Sequence, residues 1–383
     1  MLILANLFTF MSFQMLVPTV PPYLQQLGGS EIAVGLATTL FSIAAVVIRP
    51  LIGFILESQT RKKLVLSGSV ALLIVTVCYA LFPLVGAFLL LRFVHGIAWG
   101  WATTSNGTAA VDLVPTKRIG EGMGYYGLSI TLGMIIAPSL GIYVYQHYPF
   151  EQLIVVAAIL GVIALGLFVA TTFQTPESVT KNELSIKSFS FFGSLIEKNS
   201  LFPALVTLIT TFGYGAIVTF IVIFSEEKQL DKVYLFYLCN AIAATVVRPI
   251  TGKWFDRRGP WSLTIVCAVL AFLGMWALAL AENNGHLILS GVLFGLGYGS
   301  MLPAIQAWIL ARTTREKSGI ANGMFYSAID FGIGISALAM GALKPFVGTA
   351  ALFEISSFFF LGVIVLMVID YRRQKQEKKT SKA

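Results

Sequence analysis

One carboxylic acid lies deep inside an apolar stretch of the sequence. Asp330 follows the start of that stretch, Gly319, by eleven residues, which is about 16 Å of rise in an α-helix. The other seventeen of the 18 acidic residues fall in polar segments or within about a turn of the end of an apolar stretch. A carboxylate in an apolar interior is costly unless it is paired or protonated. Asp330 is therefore a candidate proton-coupling residue, and the alternative is a structural hydrogen bond to a neighbouring element.

Arg92 and His95 form a second group of candidate proton-coupling residues. They are three residues apart, so they share one face of a helix. An arginine inside an apolar stretch normally faces other protein or a water-filled cavity, and a neighbouring histidine can relay protons. Two alternatives stay open: the Arg92 stem can carry the charge to the membrane surface, and His95 can be a hydrogen-bonded structural residue.

The composition indicates which elements position these residues. The chain has 383 residues, of which 57% are apolar and 11% are charged, and soluble proteins carry about twice that share of charge. Runs of about 20 apolar residues are long enough to cross a hydrocarbon core of roughly 30 Å. We therefore predict an all-α polytopic membrane protein with twelve transmembrane helices. The predicted spans are 2–25, 32–56, 64–84, 86–113, 120–145, 151–173, 200–224, 232–255, 261–281, 286–310, 319–343 and 350–370.

The basic residues orient these spans. Twenty of the 26 Lys and Arg fall on one side of the predicted membrane, and three fall on the other. The three are Lys228, Lys232 and Lys344. By the positive-inside rule the first side is cytoplasmic, and an even number of spans places both termini there. The net charge of +8 is then a signal of topology and of contact with the lipid bilayer, and we expect no nucleic-acid partner.

The chain contains an internal repeat at a fixed offset of 199 residues. Residues 43–57 (IAAVVIRPLIGFILE) align without a gap on residues 242–256 (IAATVVRPITGKWFD), with seven of fifteen positions identical. Further glycines match at the same offset, among them Gly96 with Gly295. Because six spans separate the copies, the two halves have the same orientation, and a substrate site is expected between them near the membrane midplane. The predicted parts are an N-terminal half 1–173, a cytoplasmic linker 174–199, a C-terminal half 200–370 and a basic cytoplasmic tail 371–383.

A cytoplasmic loop in each half resembles the G-x-L-A-D-R-x-G-R-K motif of the major facilitator superfamily, and within it of the twelve-span bacterial drug:proton antiporters. The matching residues are Gly53, Glu57 and Arg61 in the first copy and Gly252, Asp256 and Arg257 in the second. The resemblance implies that Glu57 caps the eleventh span and that Arg61 pairs with Asp112 at the cytoplasmic end of the fourth span. Such a pair would act as a cytoplasmic gate.

Two more segments carry the same resemblance. The segment RFVHGIAWG, from Arg92, is similar to the R-x-x-Q-G-x-G-x-A motif of the family, with His95 in place of the glutamine. The fifth span resembles G-x8-G-x3-G-P-x2-G-G, the signature of the antiporters. Its matching residues are Gly124, Gly133, Ala137, Pro138 and Gly141. Small residues allow helices to approach closely, and proline bends a helix. The resemblance implies an exporter.

Two arginines are equivalent by the repeat, Arg49 and Arg248, and each precedes a proline. We expect a symmetric structural role at the cytoplasmic gate rather than contact with substrate. Aromatic and amide side chains on the spans that line the cavity in this fold are the candidates for substrate contact. These are Gln14, Trp99, Thr103, Asn106, Tyr126, Phe212, Tyr214, Tyr298, Gln306 and Trp308.

These features together predict a secondary active transporter in a bacterial cell membrane, a proton-coupled exporter of a hydrophobic or cationic small molecule that works as a monomer. An exporter of one specific metabolite, such as a sugar or a metallophore, is the alternative. A polytopic membrane enzyme is a remote alternative, because serine-hydrolase and Walker spacings are missing. A receptor without transport is equally remote, because it would need an extra sensor segment. The three cysteines lack metal-ligand spacing, so we expect no metal and no cofactor.

Overall fold

The computed structural model of the chain describes residues 1–56, 59–114, 119–173, 190–313 and 318–380. Every regular element in these residues is a helix, as expected where one apolar segment must satisfy its own backbone hydrogen bonds. The helices are α1 Leu2–Gln14, α2 Val20–Gln26, α3 Glu31–Leu56, α4 Arg61–Leu81, α5 Val85–Leu113, α6 Ile119–His147, α7 Phe150–Val169, α8 Phe191–Leu195, α9 Leu201–Glu227, α10 Tyr234–Arg258, α11 Pro260–Ala279, α12 Asn284–Ala311 and α13 Ser318–Thr380.

Nine helices in the described residues are long and apolar enough to cross a membrane, and two shorter apolar helices accompany them. The all-α polytopic fold is therefore confirmed, while the count of twelve spans stays a prediction. The predicted first span, 2–25, is divided between α1 and α2. Pro18, Pro21 and Pro22 lie at this division, and a proline cannot donate the backbone hydrogen bond that a continuous helix requires.

The last helix, α13, covers both of the last two predicted spans. Its backbone leaves the helical conformation at Gly348, where φ is +77°, a region that glycine adopts without a steric penalty. The contacts with α9 advance along that helix before Gly348 and return along it afterwards. They join Gly332 to Thr211 and Lys344 to Glu227 before Gly348, and Phe353 to Phe224 and Phe359 to Phe212 after it. The chain therefore reverses direction at Gly348.

The chain divides into two compact units. The first consists of Met1–Ile196 with Ala337–Ala342, and the second of Glu197–Ser336 with the residues from Leu343 onward. In the first unit α5 packs against α3 and α4, and α1 packs against α6 and α7. In the second unit α12 packs in the same way against α10 and α11.

The repeated glycines make equivalent close contacts inside each unit. A Cβ atom on Gly96 would lie 2.2 Å from the carbonyl oxygen of Phe41, and one on Gly295 would lie 2.2 Å from that of Asn240. Asn240 follows Phe41 by 199 positions, as Gly295 follows Gly96. Both contacts require a residue without a side chain. The repeat in the sequence is thus a repeat in helix packing.

Asp370 joins three helices of the second unit. Its Oδ2 atom accepts hydrogen bonds from the indole of Trp261 at 2.9 Å, from Gln374 at 3.1 Å and from Arg312 at 3.4 Å. Trp261 begins α11, Arg312 follows α12, and Asp370 lies on α13. The carboxylate is buried, so these donors replace the water that it would otherwise bind.

Candidate functional site

A buried hydrogen-bond network joins α1, α5 and α6 in the first unit. The Asn6 side chain donates to the Ser129 hydroxyl at 3.0 Å, and its oxygen accepts from the Tyr126 hydroxyl at 3.2 Å and from the Asn106 amide at 3.4 Å. All four side chains are buried. Within the described residues, the carbonyl oxygen of Asn106 has no hydrogen-bond partner. The network thus has one buried acceptor without a donor among the described side chains.

Arg92 lies in the interior of the first unit. Its side chain is 1% exposed, its Nε donates to the Ala37 carbonyl at 3.4 Å, and its guanidinium stacks on the Phe41 ring at 4.8 Å. A guanidinium is held on an aromatic face by attraction to the ring electrons. The charge therefore faces protein rather than the membrane surface.

His95 is fully buried one turn after Arg92. Its Nδ1 atom lies 3.3 Å from the Tyr79 hydroxyl on α4, whereas Nε2 has no hydrogen-bond partner in the described part of the chain. The imidazole also meets the Phe41 ring edge-on at 5.9 Å, the ring over which Arg92 lies. Arg92, Tyr79 and His95 are thus a group of polar side chains inside an apolar unit.

Aromatic rings surround this polar group. The Phe13 ring stacks on Trp99 with centroids 3.9 Å apart and on Phe41 at 4.9 Å, and it meets His95 edge-on at 5.3 Å. Phe10 meets Trp99 edge-on at 4.8 Å. Since aromatic faces attract cations and apolar groups alike, this cluster suits an amphipathic or cationic ligand.

The small residues of the fifth-span motif face α1. A Cβ atom on Gly133 would lie 2.6 Å from the Cβ atom of Phe10, and one on Gly141 would lie 2.5 Å from the carbonyl oxygen of Met15. Ala137, between them, is fully buried, and Pro138 lies inside α6. The spacing of the motif therefore allows α6 to lie close to α1.

An ion pair connects α4 and α5 in the first unit. The Nε atom of Arg61 lies 2.5 Å from Oδ2 of Asp112, with side-chain exposures of 7% and 16%. The same guanidinium donates to the Leu56 carbonyl oxygen at the end of α3. The pair that the resemblance implied is present, and its role as a gate stays a prediction.

A second aromatic cluster lies in the second unit. The Tyr214 ring packs on Tyr298 at 4.4 Å and on Phe294 at 5.7 Å. Tyr298 and Phe294 stack at 5.0 Å. By the repeat, Tyr298 corresponds to Trp99 and Phe294 to His95. The two units thus have aromatic residues at equivalent positions, but at the position of His95 the second unit has Phe294 in place of an imidazole.

The remaining candidates are placed one by one. Phe212 stacks on Phe359, and Trp308 packs on Phe202 and under the Arg312 guanidinium. The half-buried candidates are Gln14, Arg49, Gly53, Thr103, Arg248, Gln306 and Asp330. The exposed ones are Gly252 and Arg257. Glu57 lies outside the described residues, and the surroundings of Gly124 and Asp256 are outside the description as well.

Sequence reasoning did not select three residues of these networks. Asn6 and Ser129 complete the amide network, and Tyr79 is the hydrogen-bond partner of His95 Nδ1. Asn6 could have been selected from the sequence, because a carboxamide inside an apolar span needs a hydrogen-bond partner. Ser129 and Tyr79 carried none, since hydroxyl residues are common in membrane helices.

The fold, with nine long apolar helices in the described residues, is that of a multi-pass membrane protein. The sequence profile of the Major Facilitator Superfamily matches residues 2–290 and 265–383. The chain therefore belongs to the major facilitator superfamily, whose members act on small-molecule substrates.

Two relatives and one solved structure are similar over nearly the whole chain. The Multidrug resistance protein MdtG of Dickeya zeae is 24% identical, over 98% of this chain and 95% of its own. The Staphylopine export protein of Staphylococcus aureus is 21% identical, over 93% and 90%. The crystal structure of the nucleoside transporter NupG has a TM-score of 0.74 at 14% identity, over 97% of this chain and 98% of that one, a likeness of fold.

Proposed function

We propose that this protein is a proton-coupled exporter of a hydrophobic or cationic small molecule. The observation that carries the proposal is the packing of Gly133, Ala137 and Gly141 against α1. These residues belong to the segment that resembles the antiporter signature, and two similar proteins are named for drug resistance and for export.

The coupling residues are proposed to be Asp330, Arg92 and His95. An exporter driven by protons needs a group that binds a proton in competition with the cargo. Asp330 is a half-buried carboxylate on an apolar helix, and His95 is a fully buried imidazole beside a guanidinium. Each can carry a proton whose binding changes the local charge.

The aromatic clusters support a cationic or apolar cargo. Phe13, Trp99 and Phe41 present ring faces in the first unit, as Tyr214 and Tyr298 do in the second. Few polar atoms accompany these rings, and the Asn106 carbonyl oxygen is a buried acceptor without a partner among the described residues. Packing would supply affinity, and such an acceptor would orient the cargo.

We further propose that the protein lies in the inner membrane of a bacterium as a monomer, with both termini in the cytoplasm. It would alternate between states open to either side, exchanging inward protons for outward cargo. The bias in basic residues supports the orientation, and the named bacterial relatives support the location.

Proton release on addition of a cargo tests this function. Purified protein in weakly buffered detergent solution receives ethidium, a cationic dye, while the pH is recorded. Wild type should release protons, and Asp330→Asn should release fewer. Asp231→Asn, in an exposed turn after α9, is the matched control and should behave as wild type. Unchanged release in Asp330→Asn would remove this residue from coupling, and the absence of release in wild type would contradict proton exchange with this cargo.

Export of one specific metabolite is the second candidate function. The similarity to a protein named for staphylopine export favours it. Inverted membrane vesicles should then accumulate staphylopine with a saturable rate that excess ethidium does not reduce. A drug exporter would instead accumulate ethidium, and the two outcomes separate the candidates.

A further inference from the structure

A small cavity lies inside the first unit, beside the ring of His95. Helices α1, α4, α5 and α7 line it, and it has room for about one water molecule. Four hydroxyl groups contribute to its wall. They belong to Thr9, Ser12, Ser69 and Thr76, and His95 and Gly161 also line the cavity.

His95 has one hydrogen-bonding atom to offer to this cavity. Its Nδ1 atom is engaged with Tyr79, and its Nε2 atom is buried without a partner among the described residues. A buried polar atom that stays unpaired destabilises the fold, because it has lost its hydrogen bond to water. A ligand in the cavity that pairs with Nε2 would recover this free energy.

The burial of Tyr79 fixes the direction of its hydrogen bond. Its side chain is fully buried, and Nδ1 of His95 is the acceptor within reach of its hydroxyl group among the described residues, so Tyr79 donates its hydroxyl hydrogen to Nδ1. An imidazole that accepts at Nδ1 carries its hydrogen on Nε2 when it is neutral. His95 is therefore a donor toward the cavity.

The hydroxyl groups of the wall are acceptors toward the cavity. Three of them already donate to backbone carbonyl oxygens at 2.7 to 2.9 Å. These are Thr9 to Ala5, Ser12 to Ala157, and Ser69 to Val65. Each hydroxyl oxygen keeps lone pairs that point elsewhere. The cavity thus needs a guest that accepts one hydrogen bond and donates others, and water has that combination.

We propose that this cavity is a binding site for a single water molecule, which accepts a hydrogen bond from Nε2 of His95 and donates to hydroxyl oxygens of α1 and α4. Through it His95 is held in the Nε2–H form and Tyr79 is held as its donor. The imidazole then keeps its edge-on contact with Phe41, the ring over which the Arg92 guanidinium lies. The proposal does not depend on the direction of transport or on the cargo.

Nitrogen-15 NMR of histidine tests the proposal directly, because the chain has only 3 histidines. In a protein with His147→Gln and His286→Gln, the imidazole signals come from His95 alone. We expect the ring hydrogen on Nε2, and magnetisation transfer from water to that hydrogen. A ring hydrogen on Nδ1, or an Nε2 hydrogen without transfer from water, would overturn the proposal.

Two variants should remove the bound water molecule by different means. A Cβ atom on Gly161 would lie 3.2 Å from Leu73 and 3.5 Å from the Ser12 hydroxyl oxygen, so Gly161→Ala places a methyl group at the cavity wall. Thr76→Val replaces a hydroxyl with a methyl group at nearly constant volume. Both should abolish the transfer from water, while Gly166→Ala, which meets nothing within 4 Å on the same helix, should retain it. Transfer that persists in both cavity variants would contradict the site. Since no transport is measured, failure here is distinct from failure of the exporter proposal.

Discussion

Arg61 holds the ends of three helices together through two different bonds. Arg61 is the first residue of α4. It pairs with Asp112 near the end of α5, and it donates to the carbonyl oxygen of Leu56 at the end of α3. Removing Asp112 leaves the second bond in place, whereas removing Arg61 loses both. We therefore expect Asp112→Asn and Arg61→Ala each to slow transport, with the larger loss for Arg61→Ala.

A double-mutant cycle on transport rates measures this pair. Residues in contact commonly show a coupling free energy of about 0.5–3 kcal/mol, so the double variant should be little slower than Arg61→Ala alone. Lys62→Ala, an exposed neighbour on the same turn, is the control and should be nearly neutral. Fully additive losses would argue against a shared role of the two residues.

Asn6 is the centre of the amide network, since three side chains on other helices bond to it. Asn6→Ala would leave buried hydroxyl and amide groups unpaired, at about 1–3 kcal/mol for each lost partner. The variant should lower the thermal unfolding temperature of the purified protein. Gln14→Ala, at a half-buried position at the end of α1, should change it much less, and equal shifts in the two variants would contradict the network.

The residue types that are rare in membranes were predictable, and their partners were not. Arg92 and His95 could be selected from sequence because charged and imidazole groups in apolar spans are costly. Tyr79 lies on another helix, and only the packing of α4 on α5 brings its hydroxyl to His95. Long-range neighbours of this kind depend on helix rotation, which apolar composition does not specify.

At the scale of the element, close helix packing depends on glycines at repeated positions. Gly96→Ala and Gly295→Ala each place a Cβ atom against a backbone carbonyl oxygen on the neighbouring helix, and a backbone cannot move aside as a side chain can. Overpacking of this kind typically costs about 1–3 kcal/mol. Both variants should lose thermal stability by similar amounts.

Gly86→Ala is the matched control for these two variants. It lies on α5 like Gly96, and a Cβ atom there meets nothing within 4 Å. Unfolding temperatures of the three variants in one detergent provide the comparison. Stability of Gly96→Ala equal to that of Gly86→Ala would show that α3 and α5 separate without cost.

Helix positions followed from apolar length, while helix ends depended on local chemistry. Most predicted spans coincide with one helix within a few residues. The first was divided because three prolines interrupt its backbone hydrogen bonds. The last two predicted spans are two helical segments of α13, which the non-helical backbone of Gly348 separates. Hydropathy alone does not distinguish these cases.

At the scale of the whole molecule, the charge bias predicts an orientation that labelling can test. In a protein without Cys78, Cys239 and Cys267, a cysteine at exposed Arg257 should react with an impermeant maleimide only in inverted vesicles. A cysteine at Phe346, which is 84% exposed, should react only in right-side-out vesicles. The reverse pattern would contradict the positive-inside assignment.

The internal repeat is the feature of the whole molecule that was predicted best from the sequence. The offset of 199 residues anticipated that Gly96 and Gly295 make the same contact. It did not anticipate that the ion pairs differ, since Arg61 pairs with Asp112 in the first unit and Arg312 with Asp370 in the second. Duplicated backbones keep their packing, while their charged groups diverge.

The position of Asp370 has a practical consequence for protein engineering. The Asp370 carboxylate accepts hydrogen bonds from Trp261, Arg312 and Gln374, and so connects α11, α12 and α13. A purification tag or fluorescent reporter attached beyond Gln374 leaves these hydrogen bonds intact. A deletion that begins before Asp370 would remove all three hydrogen bonds at once. The site chosen for truncating or extending the chain therefore decides whether the C-terminal ends of these helices stay connected.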